Sequence, residues 1–109
     1  YNNLGLALLH QGEFARAADA YLAAIDIDPG NAAYHLNLGL AREKQGDDAR
    51  ALDAFAKAVA LRPDYAKARL SLALAHRRLG QIDEARHALQ LLLAQDPGNQ
   101  TIIRLLDRL

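Results

Sequence analysis

The chain has 109 residues, 51% hydrophobic and 24% charged, and its 13 basic and 13 acidic side chains cancel. A neutral chain has no overall field that would attract nucleic acid or an anionic membrane, and no apolar run approaches the ~18–20 residues of a membrane-spanning helix. The absence of cysteine excludes a disulfide framework and a thiolate metal site. The mean hydropathy of −0.13 predicts a soluble domain. Arginine strongly outnumbers lysine, as is typical of GC-rich bacterial genomes, so the bacterial cytoplasm and periplasm are both open as compartments.

Apolar residues recur three and four positions apart along most of the chain, as at Ala17, Ala20, Tyr21 and Ala24. This spacing is typical of one face of a helix. The pattern predicts seven helices, in chain order at about 1–11, 13–27, 32–45, 47–61, 65–79, 82–95 and 100–108.

The predicted helices are separated by glycines and prolines that favour helix ends. A left-handed glycine after the last turn suits Gly12, Gly46 and Gly80. Side chains that can cap the first turn of the next helix are found at Asn31, Asp47, Asp64 and Asn99.

A single period runs through the sequence. Four sets of residues repeat with the same spacing: Gly12, Gly46 and Gly80; Pro29, Pro63 and Pro97; Ala17, Ala51 and Ala85; Leu4, Leu38 and Leu72. The spacing is about 34 residues, a length typical of stacked helical repeats. Several ladders with one period predict an array of stacked structural units.

The order Leu-Gly, central Gly, Ala, aromatic residue (Tyr21, Phe55), Ala (Ala24, Ala58) and Pro resembles the tetratricopeptide-repeat (TPR) family. The resemblance implies an all-α fold, a right-handed α-solenoid of three helix-turn-helix motifs in residues 1–99, at about 1–31, 32–65 and 66–99. It implies a capping helix at 100–109. Within each helix pair, Gly5 and Gly39 are expected at the closest approach.

The two ends of the predicted array differ. The last helix has a polar side with Arg104, Asp107 and Arg108 and an apolar side, as a solvated cap requires. No such cap covers the first helix, so we expect Tyr1, Leu4 and Leu8 to expose an apolar surface. This surface predicts either end-to-end self-association or a longer array.

The sequence supplies little for catalysis. It has one serine, one threonine and no cysteine. Its histidines lack the i, i+4 spacing of helical metal ligands, and its paired acids open helices, where they favour the positive helix end. We therefore expect no enzyme activity, no cofactor and no metal site.

The family resemblance instead implies peptide binding in a concave groove lined by the first helix of each pair. It places thirteen residues there: Asn2, Asn3, Leu6, Leu36, Asn37, Leu40, Lys44, Lys67, Leu70, Ser71, Leu74, Arg77 and Arg78. Asn3 and Asn37 repeat with the period and could hold a peptide backbone with their amides. Hydrogen bonds between neighbouring repeats are the alternative.

The basic residues Lys67, Arg77 and Arg78 could attract an acidic group to one end of this groove. The carboxylate clamp of chaperone-binding family members is matched at Asn37 and Lys67 only; Asn2, Leu6 and Ser71 stand where that clamp has Lys, Asn and Arg. We therefore predict a non-enzymatic module for an extended or helical protein segment, not a chaperone co-factor. A self-assembly scaffold and the substrate-recruiting arm of a larger enzyme, such as a glycosyltransferase, remain alternatives.

Overall fold

The computed structural model describes all residues, 1–109, and is entirely helical. Seven helices follow the predicted order: α1 (Asn2–His10), α2 (Phe14–Ile27), α3 (Ala32–Lys44), α4 (Asp48–Leu61), α5 (Ala66–Arg78), α6 (Ile82–Gln95) and α7 (Gln100–Asp107). Each helix packs on the next one along the chain, which builds an α-solenoid with principal extents of 37 × 25 × 20 Å. The predicted fold class is confirmed. None of the seven helices is long and apolar enough to cross a membrane.

The turns within the helix pairs follow the predicted glycine chemistry. Gly12, Gly46 and Gly80 adopt φ values of 81°, 80° and 77°. This left-handed conformation is strained for residues with a Cβ atom, so glycine ends the first helix of each pair at little cost.

Three of the four predicted helix caps form. The side chains of Asn31, Asp47 and Asn99 accept hydrogen bonds from the backbone N–H groups of Ala33, Arg50 and Ile102, respectively.

The cap predicted at Asp64 is wrong. The N-cap position of α5 is held by Tyr65, which makes no side-chain cap bond. Asp64 lies one residue too early to reach the first turn, and its carboxylate is 3.6 Å from the guanidinium of Arg62.

The helix pairs are held together by contacts between a small and a large residue. A Cβ atom added at Gly5 would lie 2.5 Å from the ring of Tyr21, and one added at Gly39 would overlap the ring of Phe55. The third pair has Ala73 and Leu89 at these positions, both buried. The predicted close approach at Gly5 and Gly39 is therefore confirmed, and the third pair replaces glycine with alanine where the partner is smaller.

The apolar core runs through the array as three clusters: two of them join successive helix pairs, and the third joins the last pair to α7. Ala41 of α3, which lies in the cluster shared by the first and second pairs, is fully buried, whereas Ala7, its counterpart one repeat earlier, is exposed. At the N-terminal end, Tyr1 and Leu4 expose 65% and 51% of their surface, as predicted. Leu8 does not: only 6% is exposed, because it packs against Ala17 and the rest of the first cluster.

Side chains at one repeating position fix the loops that join the pairs. His35 Nε2 lies 3.1 Å from the carbonyl oxygen of Pro29. Arg69, at the same position one repeat later, donates from Nε to the carbonyl oxygen of Pro63. The next residue in this ladder, Ile103, has no polar atom to offer. Both loops before α3 and α5 are thus tied to the helix that follows.

Candidate functional site

The first helices of the pairs, α1, α3 and α5, lie on one side of the array. Among helices two apart in the chain, α1 and α3 make the most extensive contact. The family resemblance places the peptide groove on the free faces of these three helices. We call this surface the groove face.

Three leucines, Leu6, Leu40 and Leu74, occupy the same position of successive first helices, and all are half-buried. Leu70, one turn before Leu74, is also half-buried. Half-buried leucines on a surface leave apolar area for a partner to cover.

Leu36 does not belong to this surface, contrary to the sequence prediction. Its side chain is 2% exposed and packs in the cluster that contains Phe55, Ala51 and Ala68. A residue that is already covered on all sides contributes to the core, and it has no free surface for a ligand.

The repeating asparagines Asn3 and Asn37 differ, since Asn37 makes a hydrogen bond between neighbouring repeats. Asn37 donates a hydrogen bond from Nδ2 to Oδ1 of Asn2 at 3.0 Å, which joins α3 to α1. Both residues are half-buried, whereas Asn3 is exposed, and Ser71, the next in the Asn3–Asn37 ladder, is half-buried. One amide hydrogen bond is therefore used between the helices, while the Asn37 carbonyl oxygen and the Asn2 amide nitrogen have no partner within the chain.

The basic residues fall into two groups. Lys44, Lys67 and Arg77 are exposed and form no ion pair. Their charges are available to a ligand.

Arg78 is already ion-paired within the chain, which corrects its predicted role as a free cation for a ligand. Its guanidinium lies 3.0 Å from a carboxylate oxygen of Glu43 and 2.9 Å from one of Asp48. The end of α5 faces the turn between α3 and α4, and two acids there already neutralise Arg78.

A cavity of about 340 Å³ opens between α5 and α7, over Leu92 of α6. Its seven lining residues are Ala66, Lys67, Leu70, Leu92, Asn99, Thr101 and Ile102. Sequence reasoning placed Lys67 and Leu70 on the groove face but missed the contribution of α6 and α7. Asn99 stands one repeat after the aromatic Tyr65, but Asn31 holds the same position one repeat before it, so this position alone does not predict the cavity.

No group of three or more His, Cys, Asp or Glu side chains lies together as metal ligands would. The groove face therefore offers apolar contacts, amides and cations. These are the means by which a surface holds a polypeptide segment.

Family models match the chain over nearly its whole length. One described as a TPR repeat matches residues 5–46, and one described as a tetratricopeptide repeat matches residues 42–109. No curated protein matches the chain.

Solved structures of the same shape include several TPR domains. The first TPR of Spaghetti (RPAP3) bound to the HSP90 peptide SRMEEVD is 27% identical, with a TM-score of 0.92, over 98% of this chain and 85% of that one. The second TPR domain of human RPAP3 in complex with the HSP70 peptide SGPTIEEVD is 26% identical, with a TM-score of 0.89, over 97% and 88%. The Sgt2 TPR domain from Aspergillus fumigatus is 26% identical, with a TM-score of 0.87, over 98% and 72%.

Proposed function

Because the chain belongs to the tetratricopeptide-repeat family, we propose that it is a non-enzymatic interaction module whose groove face binds an extended segment of a partner protein. The observation that carries the proposal is the row of half-buried leucines, Leu6, Leu40 and Leu74, beside the uncommitted cation of Lys67. Two domains of the same shape, at 26% and 27% identity, are known with bound peptides.

The segment is held by three kinds of contact. The leucines bury apolar side chains of the segment, and the free polar atoms of Asn37 and Asn2 pair with its backbone. Lys67 attracts a carboxylate, with a contribution that weakens as salt rises because the charge is exposed.

The proposal is tested by selecting binders from a displayed library of random dodecapeptides on the whole chain and measuring their affinity by calorimetry. Lys67→Glu reverses a charge on the groove face, whereas Lys57→Glu makes the same change at an exposed site on α4, a second helix. We expect Lys67→Glu to weaken the selected peptides at least tenfold and Lys57→Glu to leave them unchanged. A library without binders, or equal effects of both variants, would contradict groove binding.

The peptide SRMEEVD serves as a defined probe. Only Asn37 and Lys67 match the family's carboxylate clamp, so we predict weak binding of SRMEEVD by this chain. The triple variant Asn2→Lys, Leu6→Asn, Ser71→Arg supplies the three missing groups, and we expect it to bind SRMEEVD at least tenfold more tightly in the same titration. If the unaltered chain binds the peptide as tightly as the variant, our prediction that it is not a chaperone co-factor is wrong.

A further inference from the structure

The cavity between α5 and α7 lies where the preceding interface holds an aromatic ring. At the preceding interface, between α3 and α5, Tyr65 packs against the cluster that holds Leu36 and Ala68, and Leu36 is 2% exposed. At the α5–α7 interface, the position of Tyr65 is taken by Asn99, and Leu70, which corresponds to Leu36, is only half-buried. An aromatic ring fills one interface, and empty space remains in the next.

Two hydrogen bonds fix the side chain of Asn99 at the wall of this cavity. Its side-chain oxygen accepts from the backbone N–H of Ile102 at 3.2 Å, and its amide nitrogen donates to a carboxylate oxygen of Asp96 at 3.3 Å. The side chain is thereby committed to the turn that opens α7.

The chemistry of the cavity is divided between an apolar base and a polar rim. Leu70, Leu92 and Ile102 supply apolar surface, and Ile102 and Leu92 are 5% and 4% exposed, so the base is part of the rigid core. Lys67 and Thr101 stand beside it, and Lys67 forms no ion pair within the chain. A volume of about 340 Å³ falls within the roughly 300–1,000 Å³ range of small-ligand pockets.

We propose that this cavity receives one aliphatic side chain of the bound segment, with a carboxylate of the same segment paired to Lys67. The inference rests on the proposed groove function and adds its partner chemistry: an aliphatic anchor directly next to an acidic group. The bound side chain would take the place that the Tyr65 ring occupies at the neighbouring interface. An anchor in a preformed apolar pocket is the usual centre of binding energy in an interface.

Isocaproate, an isobutyl group joined by a short chain to a carboxylate, is a probe for the cavity alone. A ligand of eight non-hydrogen atoms at about 0.5 kcal/mol per atom binds in the millimolar range. We expect NMR shifts centred on Leu70, Leu92 and Ile102, and at least threefold weaker binding of the neutral isocaproamide. Lys67→Gln should abolish this preference while the amide still binds.

Asn99→Tyr tests the site by filling it with the side chain found at the neighbouring interface. Asn99→Ala is the matched control, since it removes the same cap without filling the cavity. We expect isocaproate binding to be at least tenfold weaker in Asn99→Tyr and retained in Asn99→Ala, with folding of both verified by circular dichroism. Shifts elsewhere on the chain, or unchanged binding by Asn99→Tyr, would overturn the proposal.

The dodecapeptide selection separates this inference from the proposed function. Peptides selected on the unaltered chain should be enriched in Leu, Ile or Val next to Asp or Glu, and selection on Asn99→Tyr should lose that enrichment. Selected peptides that depend on Lys67 but show no aliphatic preference would refute the cavity and leave groove binding intact. A library without binders, combined with specific isocaproate binding, would refute groove binding and leave the pocket.

Discussion

At the scale of single residues, Tyr21 and Phe55 pack in the same way and differ only by the hydroxyl group of Tyr21. They occupy the same position of successive repeats, both are fully buried, and each lies over a glycine of the preceding helix. The hydroxyl of Tyr21 is buried without a hydrogen-bond partner. A buried polar group in this situation loses its hydration and gains nothing in return.

We therefore predict that Tyr21→Phe raises the free energy of unfolding by about 1 kcal/mol, since the substitution removes only the unpaired oxygen. Urea denaturation followed by circular dichroism measures the change. Tyr34→Phe is the control, because Tyr34 is half-buried and its hydroxyl is not among the buried unpaired atoms; it should change stability little. A Tyr21→Phe variant less stable than the unaltered chain would mean that the hydroxyl is hydrogen-bonded in solution.

The same tyrosine predicts a pH dependence. Burial raises the pKa of the Tyr21 hydroxyl above its ordinary value of 10.0. The folded chain then keeps the proton to a higher pH than the unfolded chain does, so this contribution to stability is constant below pH 10.0 and is lost as pH rises through the folded-state pKa. The stability advantage of Tyr21→Phe should widen above pH 10.0 in urea titrations; an advantage that stays constant there would contradict the burial of the phenol.

At the scale of helices, each pair is defined by the match between a small residue and its large partner. Gly5 with Tyr21 and Gly39 with Phe55 are the tight pairs, and Ala73 with Leu89 is a relaxed version of the same contact. The third pair shows that an extra methyl group on the first helix is compatible with this packing when the opposing side chain is smaller.

This comparison predicts a coupling between Gly39 and Phe55. Gly39→Ala alone should overpack the contact and cost about 1–3 kcal/mol, and Phe55→Leu alone should cost a similar amount through lost burial. The double variant reproduces the third pair, so we expect it to be more stable than the sum of the single effects predicts, by about 1 kcal/mol or more. Thermal and urea unfolding of the four chains measures this cycle. Strictly additive effects would show that the helices do not meet at these two residues.

The helices also show which features a sequence can specify. Glycine turns and the caps at Asn31, Asp47 and Asn99 depend on local chemistry within a few residues, and they were predicted correctly. Asp64 failed because a shift of one residue at the start of α5 removes a cap.

The sequence predictions for the groove face failed where a residue's environment depends on distant parts of the chain. Leu36 and Leu40 are one turn apart on α3, and periodicity alone does not decide which of them lies under Phe55. Arg78 meets Glu43 and Asp48 across separations of 35 and 30 residues. The cavity likewise depends on how α7 sits against α5, which the capping role of Asn99 alone does not reveal.

At the scale of the whole molecule, neighbouring pairs are joined by apolar contact first and polar contact second. Buried alanines such as Ala41 and Ala75 let successive pairs approach closely. The Arg78 contacts with Glu43 and Asp48 and the Asn37–Asn2 hydrogen bond add links between pairs. Exposed ion pairs are worth up to about 1 kcal/mol, so the Arg78 contacts add little to the stability that apolar packing provides.

The N-terminal face of α1 carries the same apolar pattern as the corresponding face of α3, but it is exposed. Leu38 is 9% exposed and Ala41 is fully buried, because α2 packs over them. Their counterparts at Leu4 and Ala7 are exposed, as is Tyr1. An apolar surface of this shape is stabilised by whatever covers it, and the same face of a second copy is a self-complementary candidate.

We therefore predict reversible, concentration-dependent pairing of the 109-residue chain through this face. Leu4→Lys places a charge in the centre of the proposed contact and should shift the association to at least tenfold higher concentration, without loss of helix content. Leu22→Lys makes the same change at another exposed leucine, which is 40% exposed on α2, and should leave association unchanged. Sedimentation velocity over a wide concentration range measures both variants. A chain that stays monomeric throughout, or one that associates equally well with Leu4→Lys, would show that two copies do not pair through the N-terminal face.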